Sequence, residues 1–196
     1  MLRKRPWLVI GLAAASVQLA SLQVAAQTTA APAALPPITT IAALDVPRYM
    51  GTWYEIAKFP NRFQAKCTAN TRAQYLAQTD GSVQVLNSCA TADGSMIDAL
   101  GKAHQVGAAN SPKLKVRFAP AWLSWLPQVW GDYWVIDLDA DYQLAAVSDA
   151  KREYLWVLSR TPQVNAKAYA ALIERLKAQH FDVQKLERTA QTTAPR

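Results

Sequence analysis

Residues 51–59 read Gly51-Thr52-Trp53-Tyr54-Glu55-Ile56-Ala57-Lys58-Phe59. As an extended strand, the stretch puts Trp53, Glu55, Ala57 and Phe59 on one face. Tyr54, Ile56 and Lys58 fall on the other. A bulky indole two residues after a glycine needs room beside it, so this strand asks for partners that wrap around it. The rest of the chain supplies them.

Short strand-like runs recur after it, separated by turn signals. They cover residues 68–77, 83–87, a strand within 96–106, 113–118, 133–138, 143–148 and 154–160. Thr79-Asp80-Gly81-Ser82 and Ala92-Asp93-Gly94-Ser95 are tight turns. Lys113-Leu114-Lys115-Val116-Arg117-Phe118 alternates, with Leu114, Val116 and Phe118 inward and the basic residues outward. Counting the opening strand, eight strands follow in meander order with no long crossover between them. Eight consecutive antiparallel strands suit an all-β, up-and-down barrel that closes on itself. Thr161-Pro162 then opens a helix near 164–179. Ala168, Tyr169, Leu172, Ile173 and Leu176 form its apolar stripe, which should lie against the barrel's outer wall. A short strand near 181–183 is expected after it.

At 196 residues, 51% hydrophobic and 18% charged, with 7 tryptophans, the chain fits one domain with its own core. Arg3, Lys4 and Arg5 precede an apolar run from Trp7 to Ala20, and Val24-Ala25-Ala26 is a small-x-small cleavage pattern. Residues 1–26 therefore read as a secretory signal peptide cleaved near Ala26. Ser16, Gln18, Ser21 and Gln23 interrupt the run and count against an uncleaved membrane anchor. Cleavage removes three positive charges and no negative ones, lowering the formal charge from +7 to +4. That modest charge, spread along the chain, does not suggest nucleic acid as a partner and is compatible with weak attraction to anionic lipid. No cysteine stands near the cleavage site, so a periplasmic protein without a lipid anchor is expected. Residues 27–40, rich in Ala, Thr and Pro, read as a flexible leader. Residues 41–187 are the folded domain, and residues 188–196 a disordered tail.

Cys67 and Cys89 are the two cysteines. In an oxidising compartment such a pair reads as a disulfide. His104 and His180 do not stand at ligand spacing from them, so no metal is expected. No Ser-His-Asp arrangement is apparent and no cofactor is called for. The chain reads as a binding protein, not an enzyme. An enzyme working in the barrel would need a reactive thiol or an acid–base pair there, and a ligandless interaction protein would need a filled barrel.

Strand ends of a meander alternate between two poles. Trp53 lies at the pole where the first strand begins. Arg160, at the end of the last strand, returns to that pole, as does the 139–142 link. Arg160 can lay its guanidinium over the Trp53 ring. Cys67 and Cys89 fall at the opposite pole on adjacent strands.

Gly51-x-Trp53, the Asp139–Tyr142 region and Arg160 resemble, in order and spacing, the three signature regions of the lipocalin family. Arg48-Tyr49-Met50-Gly51-Thr52-Trp53-Tyr54-Glu55-Ile56-Ala57 and Tyr154-Leu155-Trp156-Val157-Leu158-Ser159-Arg160-Thr161-Pro162 are similar to the bacterial outer-membrane lipocalins and to apolipoprotein D. Residues 138–142 lack the family's Thr-Asp-Tyr triplet. The bacterial relatives commonly carry a lipoprotein cysteine that is missing here. The resemblance implies a calyx sealed at the Trp53 pole and open at the other. It implies a small hydrophobic ligand, and for the bacterial branch a fatty acid or lysophospholipid carried or stored in the envelope.

Alternation places Leu158, Trp156 and Tyr154 above Arg160 on the inner face, with Val116 and Phe118 opposite. Phe59 approaches the rim, and Tyr75 joins the lining from the second strand. Strand 133–138 has two possible faces, and likeness to the bacterial relatives turns Tyr133 inward. Glu55 is a buried carboxylate that must be paired or neutralised. It either bonds within the wall or meets a ligand's polar head. The loop 119–130 at the open pole is unusually apolar for a connection. Trp122, Trp125 and Leu126 suit a membrane contact, a lid, or a packed or dimeric contact. A monomer and a homodimer are both compatible with the sequence.

Overall fold

The computed structural model describes residues 34–192. The proposed signal peptide, most of the leader and residues 193–196 lie outside them. A four-residue helix α1 (Val46–Tyr49) leads into β1 (Gly51–Lys58). Seven strands follow: β2 (Ala69–Ala77), β3 (Val83–Ala90), β4 (Met96–Gln105), β5 (Lys113–Arg117), β6 (Gly131–Leu138), β7 (Leu144–Ser148) and β8 (Leu155–Ser159). Each pairs antiparallel with the next, and β8 pairs with β1, so the sheet closes. Helix α2 (Ala166–Ala178) and a two-residue strand β9 (Glu187–Arg188) complete the fold.

Two apolar clusters divide the structure. One fills the barrel, with Trp53, Ala73, Tyr75, Val83, Val85, Leu114, Val135 and Leu158 among its members. The other lies outside the wall, where Leu172 and Leu176 of α2 pack on Ile56, Ile136, Leu155 and Val157. Asn165 caps α2, its side-chain oxygen accepting from the amides of Lys167 and Ala168. Arg175 grips Asp137 of β6 through two hydrogen bonds of 2.6 and 2.8 Å, fixing the helix to the barrel. Tyr169 and Ile173 flank the buried pair as the spacing predicts, whereas Ala168 is exposed.

Two β-bulges change which residues face inward. In β1 the register against β8 shifts between Glu55 and Ala57. An extra residue in one strand reverses the alternation beyond it. Trp53 and Glu55 therefore face the barrel interior, but Ile56, Ala57 and Phe59 join the outer cluster. This corrects the expected inward positions of Ala57 and Phe59; Phe59 packs edge-on against Phe181, 6.3 Å between ring centres. In β6 the register shifts between Val135 and Asp137. Tyr133 and Val135 face in, and Asp137 turns out to meet Arg175.

The described segments on either side of the barrel are more ordered than their composition implies. Ile38 is buried in the outer cluster, and the Arg152 guanidinium donates to the Pro36 carbonyl. The leader is thus docked from Pro36 onward. At the other end, β1 and β2 pair from Gly51–Tyr75 only as far as Tyr54–Arg72. Residues 187–192 run into the gap beyond. Arg188 and Glu187 pair with Ala57 and Lys58, and the Thr189 amide donates to the Ile56 carbonyl. The Gln191 side-chain amide donates to the carbonyls of Glu55 and Thr71, 2.8 and 2.7 Å, bridging the two strands. Residues 188–192 are therefore part of the wall and not a disordered tail. The expected strand near 181–183 is displaced to Glu187–Arg188, with a 3-10 turn at Val183–Lys185 between.

Cys67 and Cys89 form a disulfide with Cα atoms 5.5 Å apart, tying the start of β2 to the end of β3. By the chain-entropy relation a loop of this length is worth about 3 kcal/mol. Cys67→Ser/Cys89→Ser should lower the urea-unfolding free energy by about that amount. A loss below ~1 kcal/mol would show that the unfolded chain is already restrained at this loop.

Candidate functional site

The barrel is sealed at the pole where β1 begins. Trp53 is fully buried, and its indole nitrogen donates to the Tyr49 carbonyl at 2.8 Å. Ala73 stands directly opposite on β2, and its small side chain leaves the indole its space. The Arg160 guanidinium lies over the Trp53 ring at 4.1 Å. It donates to four backbone carbonyls: Arg48 (2.7 Å), Met50 (2.7 Å), Thr52 (3.1 Å) and Tyr142 (3.2 Å). Gly51 has φ +93°, and a Cβ there would stand 3.3 Å from Arg160 Nη1. The positive φ calls for glycine, and a Cβ would crowd the guanidinium as well. Asp139 accepts from the amides of Gln143 and Leu144, shaping the turn that carries Tyr142. The Tyr142 hydroxyl accepts from the Asp45 amide, and Arg48 covers its ring at 4.0 Å. Leu44, Val46 and Met50 of the segment around α1 complete the floor.

Above the floor lies a cavity of about 140 Å³. Val83, Val85, Ala103 and Leu114 give it an apolar wall. Of the residues expected to line it, Tyr75, Val116, Phe118, Tyr133, Trp156 and Leu158 do so. Tyr154 sits beyond them on the same face, its ring stacked on Trp156 at 5.7 Å and near Phe63 at 5.7 Å. Phe59 is excluded by the β1 bulge. Phe118 packs on Gly101 of β4, where a Cβ would come within 2.7 Å of the ring. The absence of a side chain at Gly101 thus determines where the rim aromatic rests. Sequence reading missed Leu44, Tyr49, Val83, Val85 and Ala103. Val83-x-Val85 alternates as a half-buried strand should, so that signal was present.

Three tyrosines meet at the bottom of the cavity. The Tyr133 hydroxyl is 2.9 Å from that of Tyr49 and 2.8 Å from that of Tyr75. Burial pushes the Tyr75 phenol up to about 12 and holds Tyr49 and Tyr133 well above the ordinary tyrosine range. All three are neutral.

Nearer the mouth, Glu55 is buried in the wall. Its carboxylate accepts from Gln64 Nε2 and from the Thr189 hydroxyl, each at 2.5 Å. The Gln64 side-chain oxygen accepts in turn from the Trp156 indole (2.9 Å) and the Asn61 amide (2.7 Å). This network joins the loop after β1, β8 and the C-terminal segment. Burial raises the Glu55 pKa above its ordinary 4.5, against the lowering effect of the two hydrogen bonds.

The mouth carries exposed apolar side chains. Trp122 and Trp125 are 73% and 75% exposed, and Phe63 is 65% exposed. Leu126 is half-buried and does not share that surface. Trp130 anchors the loop, donating to the Ser124 carbonyl at 2.8 Å and packing on His104. His104 therefore faces out of the barrel. The loop is tied to the wall and is not folded into the core.

A cup sealed by a glycine-x-tryptophan strand and a returning arginine is a family trait, and the profile of the lipocalin-like domain matches residues 44–191. The chain is a lipocalin. It is 43% identical to temperature-induced lipocalin-1 of Arabidopsis thaliana over 154 residues, 78% of this chain and 82% of that one. It is 36% identical over 149 residues to the outer membrane lipoprotein Blc of Escherichia coli K12, covering 76% and 80% of the two chains. The solved structure of insecticyanin from Manduca sexta shares the fold, with a TM-score of 0.61 at 18% identity over 83% of this chain and 88% of that one. In this lipocalin the loose second signature still builds the turn, because Asp139 and Tyr142 supply its hydrogen bonds. Such proteins bind small hydrophobic ligands, and the cavity offers the enclosed apolar space for one.

Glu55 gives the fold a pH dependence of definite sign. Its native-state pKa lies above 4.5, so the folded protein keeps the proton that the unfolded chain loses first. Stability from this group is greatest below about pH 4.5 and falls as pH rises through the raised native value. Urea midpoints measured across that range should decline in the wild type and stay flat for this group in Glu55→Gln; parallel slopes would refute it.

Proposed function

We propose that the protein binds a single-chain acyl lipid, a fatty acid or lysophospholipid, and carries or stores it in the bacterial envelope. The observation behind this is the one-ended apolar cavity: floor sealed by Trp53 and Arg160, wall of valine, alanine and leucine, aromatics at the mouth. At about 140 Å³ it is small beside the roughly 300–1,000 Å³ of most drug-sized sites. A narrow cavity favours one extended chain over a bulky ring system. The Cys67–Cys89 disulfide is in keeping with export to an oxidising compartment. The likeness to a protein named an outer membrane lipoprotein supports an envelope role. A binding role, not catalysis, fits a largely apolar lining in which Glu55, Gln64 and Trp156 bond to one another and the three tyrosine hydroxyls to one another.

The mouth is the loading surface in this reading. Trp122, Trp125 and Phe63 project from loops at the open pole, with Arg62 and Lys66 exposed beside Phe63. Indole rings favour the bilayer interface, and the two cations favour anionic headgroups. We take a lipid bilayer as the occupant of this face.

Native mass spectrometry of protein purified from the periplasm should show a co-purifying acyl lipid. Ala103 faces the cavity between Val83 and Val116. Ala103→Phe fills that space, and displacement of a neutral fluorescent probe by fatty acid should weaken about tenfold or more, ~1.4 kcal/mol. Unchanged affinity, with native circular dichroism, would place the ligand elsewhere. Separately, Trp122→Ser/Trp125→Ser should lower binding to anionic liposomes while leaving probe binding in the cavity unchanged. Equal liposome binding by wild type and variant removes the membrane contact.

A further inference from the structure

The carrier reading leaves the three phenols at the cavity floor without a task. Tyr49 comes from α1, Tyr75 from β2 and Tyr133 from β6. Their hydroxyls form a chain with Tyr133 in the middle. Three oxygens carry three hydrogens, and the two bonds among them use two. Whichever way the chain is oriented, one hydrogen remains. Among the described residues these oxygens make no other hydrogen bond. The neighbouring lining is largely apolar, Leu44, Val85 and Leu158 included, and its polar members Thr71 and Asn87 accept no bond from these hydroxyls. A donor buried among such groups is costly to leave unmade.

The trio is not suited to a bare carboxylate. A carboxylate carries about four acceptor sites, and the floor offers one hydrogen. The Arg160 guanidinium is nearby but already committed to the carbonyls of Arg48, Met50, Thr52 and Tyr142; Arg72, a lining cation whose Nε has no partner among the described residues, stands three residues mouthward of Tyr75 on β2. Burial of an unpaired charge is disfavoured, so an uncharged oxygen is the better match.

We infer that the Tyr49–Tyr133–Tyr75 trio is a hydrogen-bond donor site at the cavity floor, selecting single-chain ligands that enter with an uncharged carbonyl first. Ketones, aldehydes, esters and protonated carboxylic acids are in the class. The inference rests on the acyl-carrier reading and narrows it. A lysophospholipid, whose oxygens stay at the mouth, gains nothing from the floor.

The test compares a long-chain methyl ketone with the alkane of equal carbon count, each displacing N-phenylnaphthylamine from the full-length protein. Wild type should bind the ketone about tenfold more tightly, as expected for one buried hydrogen bond. Tyr75→Phe leaves two hydroxyls, one bond between them and still one free hydrogen, so the preference should persist. Tyr49→Phe/Tyr75→Phe/Tyr133→Phe removes every hydrogen, and the ratio should fall to about one while alkane binding is retained. Isotope-edited infrared spectra of the wild-type complex need no variant. The bound carbonyl band should lie below its position in hexane, and an unshifted band overturns the inference. Equal binding of ketone and alkane to wild type overturns the floor donor and leaves the carrier reading standing. Failure of both to bind overturns the carrier reading and this inference together.

Discussion

The Arg160 guanidinium is the group on which the closed end depends. It stacks on the Trp53 indole and donates to four carbonyls drawn from the chain around α1 and from the 139–142 turn. The stacking alone is worth roughly 1–2 kcal/mol when sheltered from water. Its larger effect is geometric. Carbonyls at the end of a barrel have no strand to pair with, and a planar cation with five donors satisfies several of them at once. Lysine, with a single point of charge, has no such fork. Sealing one pole turns a tube into a cup, and only a cup holds a ligand against one floor.

The wall above that floor is less regular than alternation implies. The bulge at residues 55–57 lets β1 serve two cores. Its first half presents Trp53 and Glu55 to the cavity, and its second half presents Ile56 and Ala57 to α2. The bulge in β6 does the same with Val135 on one side and Ile136 and Asp137 on the other. Without these shifts Ala57 and Asp137 would point into the barrel, and Arg175 of α2 would lose its carboxylate partner. The bulges therefore couple the cavity to the helix that covers the wall.

Much of this is legible in the amino-acid sequence. Eight strands, their order and the outer helix followed from turn residues and periodicity, because both are local signals. Strand polarity then brought Trp53 and Arg160 to one pole. The lining was legible where a strand is regular, as at Val116, Trp156 and Leu158. It failed at Phe59, because a bulge leaves no mark that alternation can register. The tail failed for a different reason. Residues 188–192 hold their place chiefly through backbone and amide hydrogen bonds, which their Thr-, Ala- and Gln-rich composition does not advertise.

The sequence by itself determined the barrel, the sealed pole and the cysteine pair. These depend on residue types whose conformational or chemical needs are strong wherever they occur: a glycine at positive φ, an indole requiring space, an arginine requiring carbonyls, two thiols in an oxidising compartment. Only the tertiary structure decided the phase of β1 and β6, the place of the C-terminal segment and the meeting of Tyr49, Tyr75 and Tyr133. Those outcomes depend on contacts between segments far apart in the chain. No local pattern shows that three phenols from a helix and two strands will share one hydrogen-bond chain, because what joins them is the closure of the barrel itself.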